Sequence, residues 1–259
     1  MSRLGPQHVS TGALQFAAEV SAVREVSLLG TCELDPWRSR LTPVGLTPLA
    51  RQGRAQLMVV AAAMIWKGTS FSELSVSILV EPLPDVAPSG TIDQPHLEQS
   101  YLLQAWNSNR FFALCERIFF STPYQHGEVR VTGDPSPSVT LLLRGDRLFQ
   151  IALDPYSRSA RAGERTEDGW RGVIHLPSAA PHAAQAFYAE LRGETEVIAF
   201  DPIRDSLSLP NVLVEEGGAR VLTDLARSGF RGEAWHLRPA AVHRKSKTYR
   251  RDRFPQIDG

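Results

Sequence analysis

Over residues 71–80 the chain alternates. Ser72, Leu74, Val76, Ile78 and Val80 make one row and Phe71, Glu73, Ser75, Ser77 and Leu79 the other. Such a period of two puts the rows on opposite faces of a β-strand. The first row reads as core-facing, the second as facing solvent or a wet interior. The preceding stretch, 55–66, is apolar on both faces, which suits a strand buried inside a sheet or barrel wall. Lys67-Gly68-Thr69 between them reads as a hairpin turn. Upstream, Val20–Leu34 is strand-like, Asp35-Pro36 breaks it, and residues 37–49 have the punctuation of an irregular connection or one short helix. Downstream, Gln99–Trp106 reads as a strand and Asn107–Arg117 as a helix with Asn107 or Ser108 as its N-cap. Residues 82–97 are rich in proline and predict a surface loop.

The second half continues as short strands between turns: 128–132, 138–143, 148–153, 172–176, 185–191, 196–200 and 207–209, then a helix over 221–228 and a last strand over 233–237. Many short strands with few helices predict a mainly β (α+β) barrel or sandwich. The expected organisation is an N-terminal arm over 1–20, a single domain over 21–237 and a basic tail over 238–259.

Composition narrows the function classes. The 259 residues carry 28 Lys+Arg against 28 Asp+Glu, so no global field recruits nucleic acid or an anionic membrane. The basic tail lacks an aromatic stacking platform and reads as a solvated segment or one that completes a neighbour's pocket. Cys32 and Cys115 are too few and too far apart for a disulfide framework or a CxxC metal site, and reduced thiols in a cytosolic protein are expected. The N-terminus lacks the apolar run of a secretory signal, and no apolar stretch reaches about 18 residues, so a soluble cytoplasmic protein is expected. No phosphate-binding glycine loop, nucleophile elbow or metal-ligand spacing is readable, so neither a cofactor nor a metal is expected. Lys67, Lys245 and Lys247 are the lysines of the chain, which leaves an amine mechanism few candidates.

Two segments carry a family resemblance. AQLMVVAAAMIWKGTSFSELSVSILV (55–80) and YLLQAWNSNRFFALCERIFFSTPYQHGEVRV (101–131) together resemble the core of the acetoacetate decarboxylase superfamily. In that family an acidic residue on one strand faces a Schiff-base lysine just after a proline. AVREVSLLGTCELDPWRSRLTPVGL (22–46) is similar to the family's opening strand, and GETEVIAFDPIRDSLSL (193–209) to a late strand pair. The resemblance implies an acetoacetate decarboxylase-like β-barrel or cone of antiparallel strands enclosing a small polar pocket. It maps the acid onto Glu73, the pocket arginine onto Arg24 and the proline onto Pro123. Asn109 and Arg117 fall in the helical stretch before the turn. Tyr124 stands in the reactive lysine's place, Gln125 in that of its neighbouring lysine, and Met58 replaces a second acid.

A phenol and an amide cannot form an imine with a ketone, and Lys67 at a hairpin tip cannot substitute. Acid–base chemistry without an imine is therefore expected. Glu73, Tyr124 and His126 are the candidate catalytic residues: Glu73 for proton transfer, Tyr124 to stabilise a substrate oxyanion, and His126 because it shares Tyr124's side if the strand alternates. Arg24, Asn109, Arg117 and Gln125 are the candidate substrate-binding residues, with Arg24 as the fork that grips a carboxylate. The expected ligand is a small carboxylate or keto metabolite or another enolisable compound, with no nucleic-acid or membrane partner, and the protein is expected to be a homo-oligomer. The competing expectations are a catalytically silent binding protein and a structural or assembly protein of the same fold.

Overall fold

The computed structural model describes residues 13–83, 98–133, 136–156, 164–166, 169–178, 184–209, 220–255 and 257. The strands, in chain order, are β1 (Phe16–Glu33), β2 (Ala50–Arg51), β3 (Arg54–Trp66), β4 (Thr69–Val80), β5 (Glu98–Asn107), β6 (Tyr124–His126), β7 (Glu128–Thr132) and β8 (Ser138–Leu143). They continue as β9 (Asp146–Ala152), β10 (Glu164–Thr166), β11 (Trp170–His175), β12 (Gln185–Arg192), β13 (Thr195–Ala199), β14 (Ser206–Ser208), β15 (Arg231–Ser246) and β16 (Tyr249–Arg250). Among the described residues three short α-helices join them: α1 (Leu34–Leu41), α2 (Arg110–Phe119) and α3 (Arg220–Arg227).

Seven strands close a barrel. β1, β3, β4 and β5 pair in succession, β5 pairs β11 in parallel, β11 pairs β12, and β12 pairs β15, which returns to β1. Closure leaves these strands without a free edge. A second sheet, in the order β14-β9-β8-β7, covers part of the outside. Between the two lies the main core, where Leu28, Val59, Leu74 and Val76 meet Leu141 and Phe149. The alternation in β4 therefore resolves as a covered outer face and an inner face. Leu74, Val76, Ile78 and Val80 are buried against the second sheet, while Phe71, Glu73, Ser75 and Ser77 face the interior. The β3–β4 turn is tight because Lys67 (φ 47°) and Gly68 (φ 81°) both adopt left-handed backbone, the geometry whose twist suits a two-residue hairpin.

Three sequence expectations are corrected here. β1 begins at Phe16, inside the stretch read as an arm, while residues 1–12 lie outside the described residues. The break expected at Asp35-Pro36 is the start of α1, where proline sits in the first turn and its missing N–H costs nothing. The basic tail is not a tail: β15 runs through Ser246 and pairs with β1 from Arg231 to Ser246. Its proline, Pro239, falls at a register irregularity between the Glu25–Arg238 and Val23–Ala241 pairs, where a missing ladder donor is tolerated. Most of the proline-rich 82–97 segment lies outside the described residues. No helix among the described residues is long and apolar enough to cross a membrane.

Candidate functional site

The barrel interior holds a cavity of about 420 Å³. Register fixes what faces it. Ala62 of β3 lies opposite Glu25 of β1 and Glu73 of β4, and Glu73 lies opposite Asn107 of β5. Directly paired residues share a face, so this ring brings two carboxylates and an amide to one level of the barrel.

Glu73 is half-buried and faces the cavity. Its Oε1 accepts from Asn107 Nδ2 at 2.7 Å and its Oε2 from the Tyr124 hydroxyl at 3.0 Å. Burial pushes the Glu73 carboxyl up to about 7, helped by the nearby Glu116 charge; Lys245, the Tyr124 hydrogen bond and His243 pull it partly back. The Tyr124 phenol is raised well above its ordinary value, first by burial and then by the Glu73 carboxylate. Tyr124 is thus a fixed proton donor, and Glu73 is the group that changes charge near neutral pH.

Tyr124 reaches this position because β6 pairs in parallel with β5, setting Tyr124 beside Ala105. The chain enters β6 through Ser121 in left-handed backbone (φ 55°) and Pro123, whose carbonyl accepts from Gln104 Nε2. Asn109, the predicted ligand-binding residue, is instead the N-cap of α2: its Oδ1 accepts from Phe111 N (2.9 Å) and Phe112 N (3.2 Å). Neither Asn107 nor Ser108, the two residues expected as that cap, takes the role; Asn107 is the partner of Glu73, and its Oδ1 accepts from Asn109 N at 2.7 Å.

A second set of charged groups arrives from β15 and α2. Lys245 Nζ pairs with Glu116 Oε2 and lies 4.2 Å from the Phe120 ring centroid and 4.6 Å from that of Phe187. Both members of the pair line the cavity. Thr122 Oγ1 sits 3.1 Å from the same Glu116 oxygen. Next along β15, His243 faces the cavity, its Nε2 2.9 Å from Glu25 Oε2. Glu25 is fully buried; burial alone would raise its carboxyl, but Arg238, His243 and Ser27 outweigh that and lower it to about 2. Arg238 also donates from Nε to Thr195 Oγ1 at 2.7 Å.

Of the predicted site residues, the structure brings together Glu73 and Tyr124. Arg24 is exposed on the outer face of β1, with its side chain packed over Gly133. Strand alternation forbids Arg24 and its neighbour Glu25 from facing the interior together, and Glu25 takes that place. Arg117 is exposed on α2, and His126 is exposed at the end of β6. Gln125 is half-buried, and neither it nor His126 lines the cavity. Met58 does line the cavity, where the resemblance places it. The expectation of a small polar pocket is also corrected: the cavity lining is mostly apolar, including Val60, Met64, Phe112, Trp170 and Phe187. Sequence reasoning missed Asn107, Glu116, His243 and Lys245. The last two carried a legible signal, since Ala241, His243 and Lys245 fall at every second position and so share one face of a strand continued past 237.

Among the described residues no cluster of three or more His, Cys, Asp or Glu side chains is placed to hold a metal ion. No protein-family model matches the sequence, and no curated protein matches it either. Solved structures match it along most of its length. An acetoacetate decarboxylase structure superposes with a TM-score of 0.58 at 12% identity, covering 92% of this chain and 90% of that one. The acetoacetate decarboxylase of Legionella pneumophila gives 0.55 at 11%, covering 96% and 92%. The enduracididine biosynthesis enzyme MppR, complexed with the condensation product of pyruvate and imidazole 4-carboxaldehyde, gives 0.54 at 12%, covering 91% and 89%. The closed seven-stranded barrel, its added sheet and these superpositions agree that the chain has the acetoacetate decarboxylase-like fold.

Proposed function

We propose that this protein is an enzyme that moves a proton at the carbon beside a carbonyl group of a keto or carboxylic acid, without an imine. The observation that carries this reading is the Glu73–Tyr124 hydrogen bond inside the barrel, with Glu73 poised near pH 7. A general base works best when its pKa lies near the operating pH. Ionised Glu73 takes the proton, and the resulting carboxylic acid can donate back to the Tyr124 oxygen. The Tyr124 hydrogen is then free to turn to the oxyanion of the enolate. Lys245 takes over the anchoring role first assigned to Arg24. The keto-acid-derived ligand of MppR supports the substrate class. Homo-oligomerisation belongs to the same reading, with sedimentation velocity as its check.

The test is solvent deuterium exchange into a panel of 2-keto and β-keto acids, followed by mass spectrometry, with Glu73→Gln alongside. We expect exchange with an apparent pKa near 7, reduced by about 10²- to 10⁴-fold in the variant. Equal exchange by both proteins would remove Glu73 from the chemistry.

A second reading follows from Lys245, which puts an amine on the cavity wall. If Lys245 forms an imine, cyanoborohydride with pyruvate will fix a mass gain on a peptide containing Lys245. An unmodified protein under these conditions leaves the acid–base reading.

A further inference from the structure

From the cavity's volume, lining and polarity we infer that the ligand is amphipathic: a monocarboxylate or keto acid with an apolar body of about ten carbon atoms. This deepens the function proposed above and rests on it only for where the head group sits. A liquid-like share of about 30 Å³ per small group lets a cavity of about 420 Å³ hold about a dozen non-hydrogen atoms. A short keto acid of six or seven such atoms would leave about half of it to water against apolar walls, an unfavourable arrangement.

Glu73, Tyr124, Glu116, His243 and Lys245 supply the ionisable head-group chemistry on the cavity wall. Beyond Glu73, the inner rows of β3 and β4 run four more residues to the Met58–Ser77 pair, about 13 Å along the strand. This stretch is lined by Met58, Val60, Leu102 and Ile174, with Ser75 and Ser77 as its polar exceptions. The mouth is apolar too: Phe111 and Phe119 of α2 line it and are 66% and 71% exposed. Those rings are what an apolar chain would cross on entry. Two cations, Arg244 and Lys245, line the cavity. Arg244 is paired with Glu19 and Glu190, and Lys245, its Nζ lying among the Phe120 and Phe187 rings, is the one assigned to receive a carboxylate. An anion there would compete with Glu116 for Lys245.

The experiment is calorimetric titration of the full-length protein with straight-chain saturated carboxylates from four to fourteen carbons, and with the matching primary alcohols. The dissociation constant of the acids is expected to fall about fourfold per added methylene and to level off near ten carbons, when the cavity is filled. Acids should bind at least tenfold more tightly than alcohols, and Lys245→Met should erase that difference while leaving alcohol affinity unchanged. Val60→Phe, which narrows the floor without touching the charged groups, should move the plateau to shorter chains; it keeps the proposal testable if Lys245→Met fails to fold. A flat chain-length series, or a plateau unmoved by Val60→Phe, overturns the inference. Glu73→Gln should keep the chain-length series, so loss of turnover in that variant and failure of this inference read out separately.

Discussion

Glu73 carries a stability cost along with its proposed role. Its carboxyl lies near 7 in the folded state against an ordinary value of 4.5. Between those values the folded protein binds a proton that the unfolded chain has released, so stability falls as pH rises through that window. Glu73→Gln removes this cost. It should raise stability by on the order of 2 kcal/mol at pH 8 and leave it unchanged at pH 4, as judged by thermal unfolding at both values. Tyr124→Phe acts on the same carboxylate in the other direction. It deletes a hydrogen bond that favours the charged form, so the apparent pKa of Glu73-dependent activity should move above 7. A pH–rate profile that does not move would show that Tyr124 does not tune Glu73.

Among the elements, α2 is the one whose residues divide most clearly into structural and site-forming. Asn109 caps it, Glu116 faces the cavity, Phe111 lines the mouth, and Leu114 and Ile118 are exposed on its outer face. Asn109→Ala should destabilise the protein by about 1 kcal/mol in urea unfolding while leaving ligand affinity as it was. A large loss of affinity at undiminished stability would return Asn109 to the binding set. The sequence places the helix correctly to within a few residues but not its cap, because Asn107, Ser108 and Asn109 are all competent caps. The choice among them depends on Glu73 claiming the Asn107 side chain from across the sheet.

For the molecule as a whole, the barrel is closed by β15, whose Arg238 and Arg244 are matched by Glu25 of β1 and Glu190 of β12 and whose Lys245 is matched by Glu116 of α2. Glu25 lies at about 2 in the folded state, below its ordinary 4.5, so the stability it contributes is present above pH 4.5 and is lost as pH falls through 2. His175, buried and held at about 3 against an ordinary 6.5, adds an earlier loss, because below pH 6.5 the unfolded chain gains a proton that the folded chain does not. Between pH 6.5 and 4.5 this loss is set against the gain from protonating Glu73, so acid unfolding followed by circular dichroism should set in chiefly below pH 4.5. Glu25→Gln should cost about 3–5 kcal/mol at pH 7, since it leaves the Arg238 charge buried without its partner. A cost under 1 kcal/mol would mean that the barrel seam does not depend on this pair.

Local chemistry decided much of this protein directly. The period of two in β4, the apolar run of β3 and the Lys67-Gly68 turn specify a hairpin wherever they occur, because side-chain alternation and left-handed backbone at a two-residue turn are short-range constraints. The inward direction of Glu73 followed from that same alternation once one face had to be covered. The tertiary structure decided what Glu73 meets. Closure through β12, β15 and β1 brings Lys245 and His243 to its cavity from more than 160 residues away and leaves Arg24 outside. Which of two adjacent residues on a strand faces inward depends on bulges and register set by partner strands. The volume and apolar lining of the cavity depend on all seven strands together, and no segment of the chain carries that information alone.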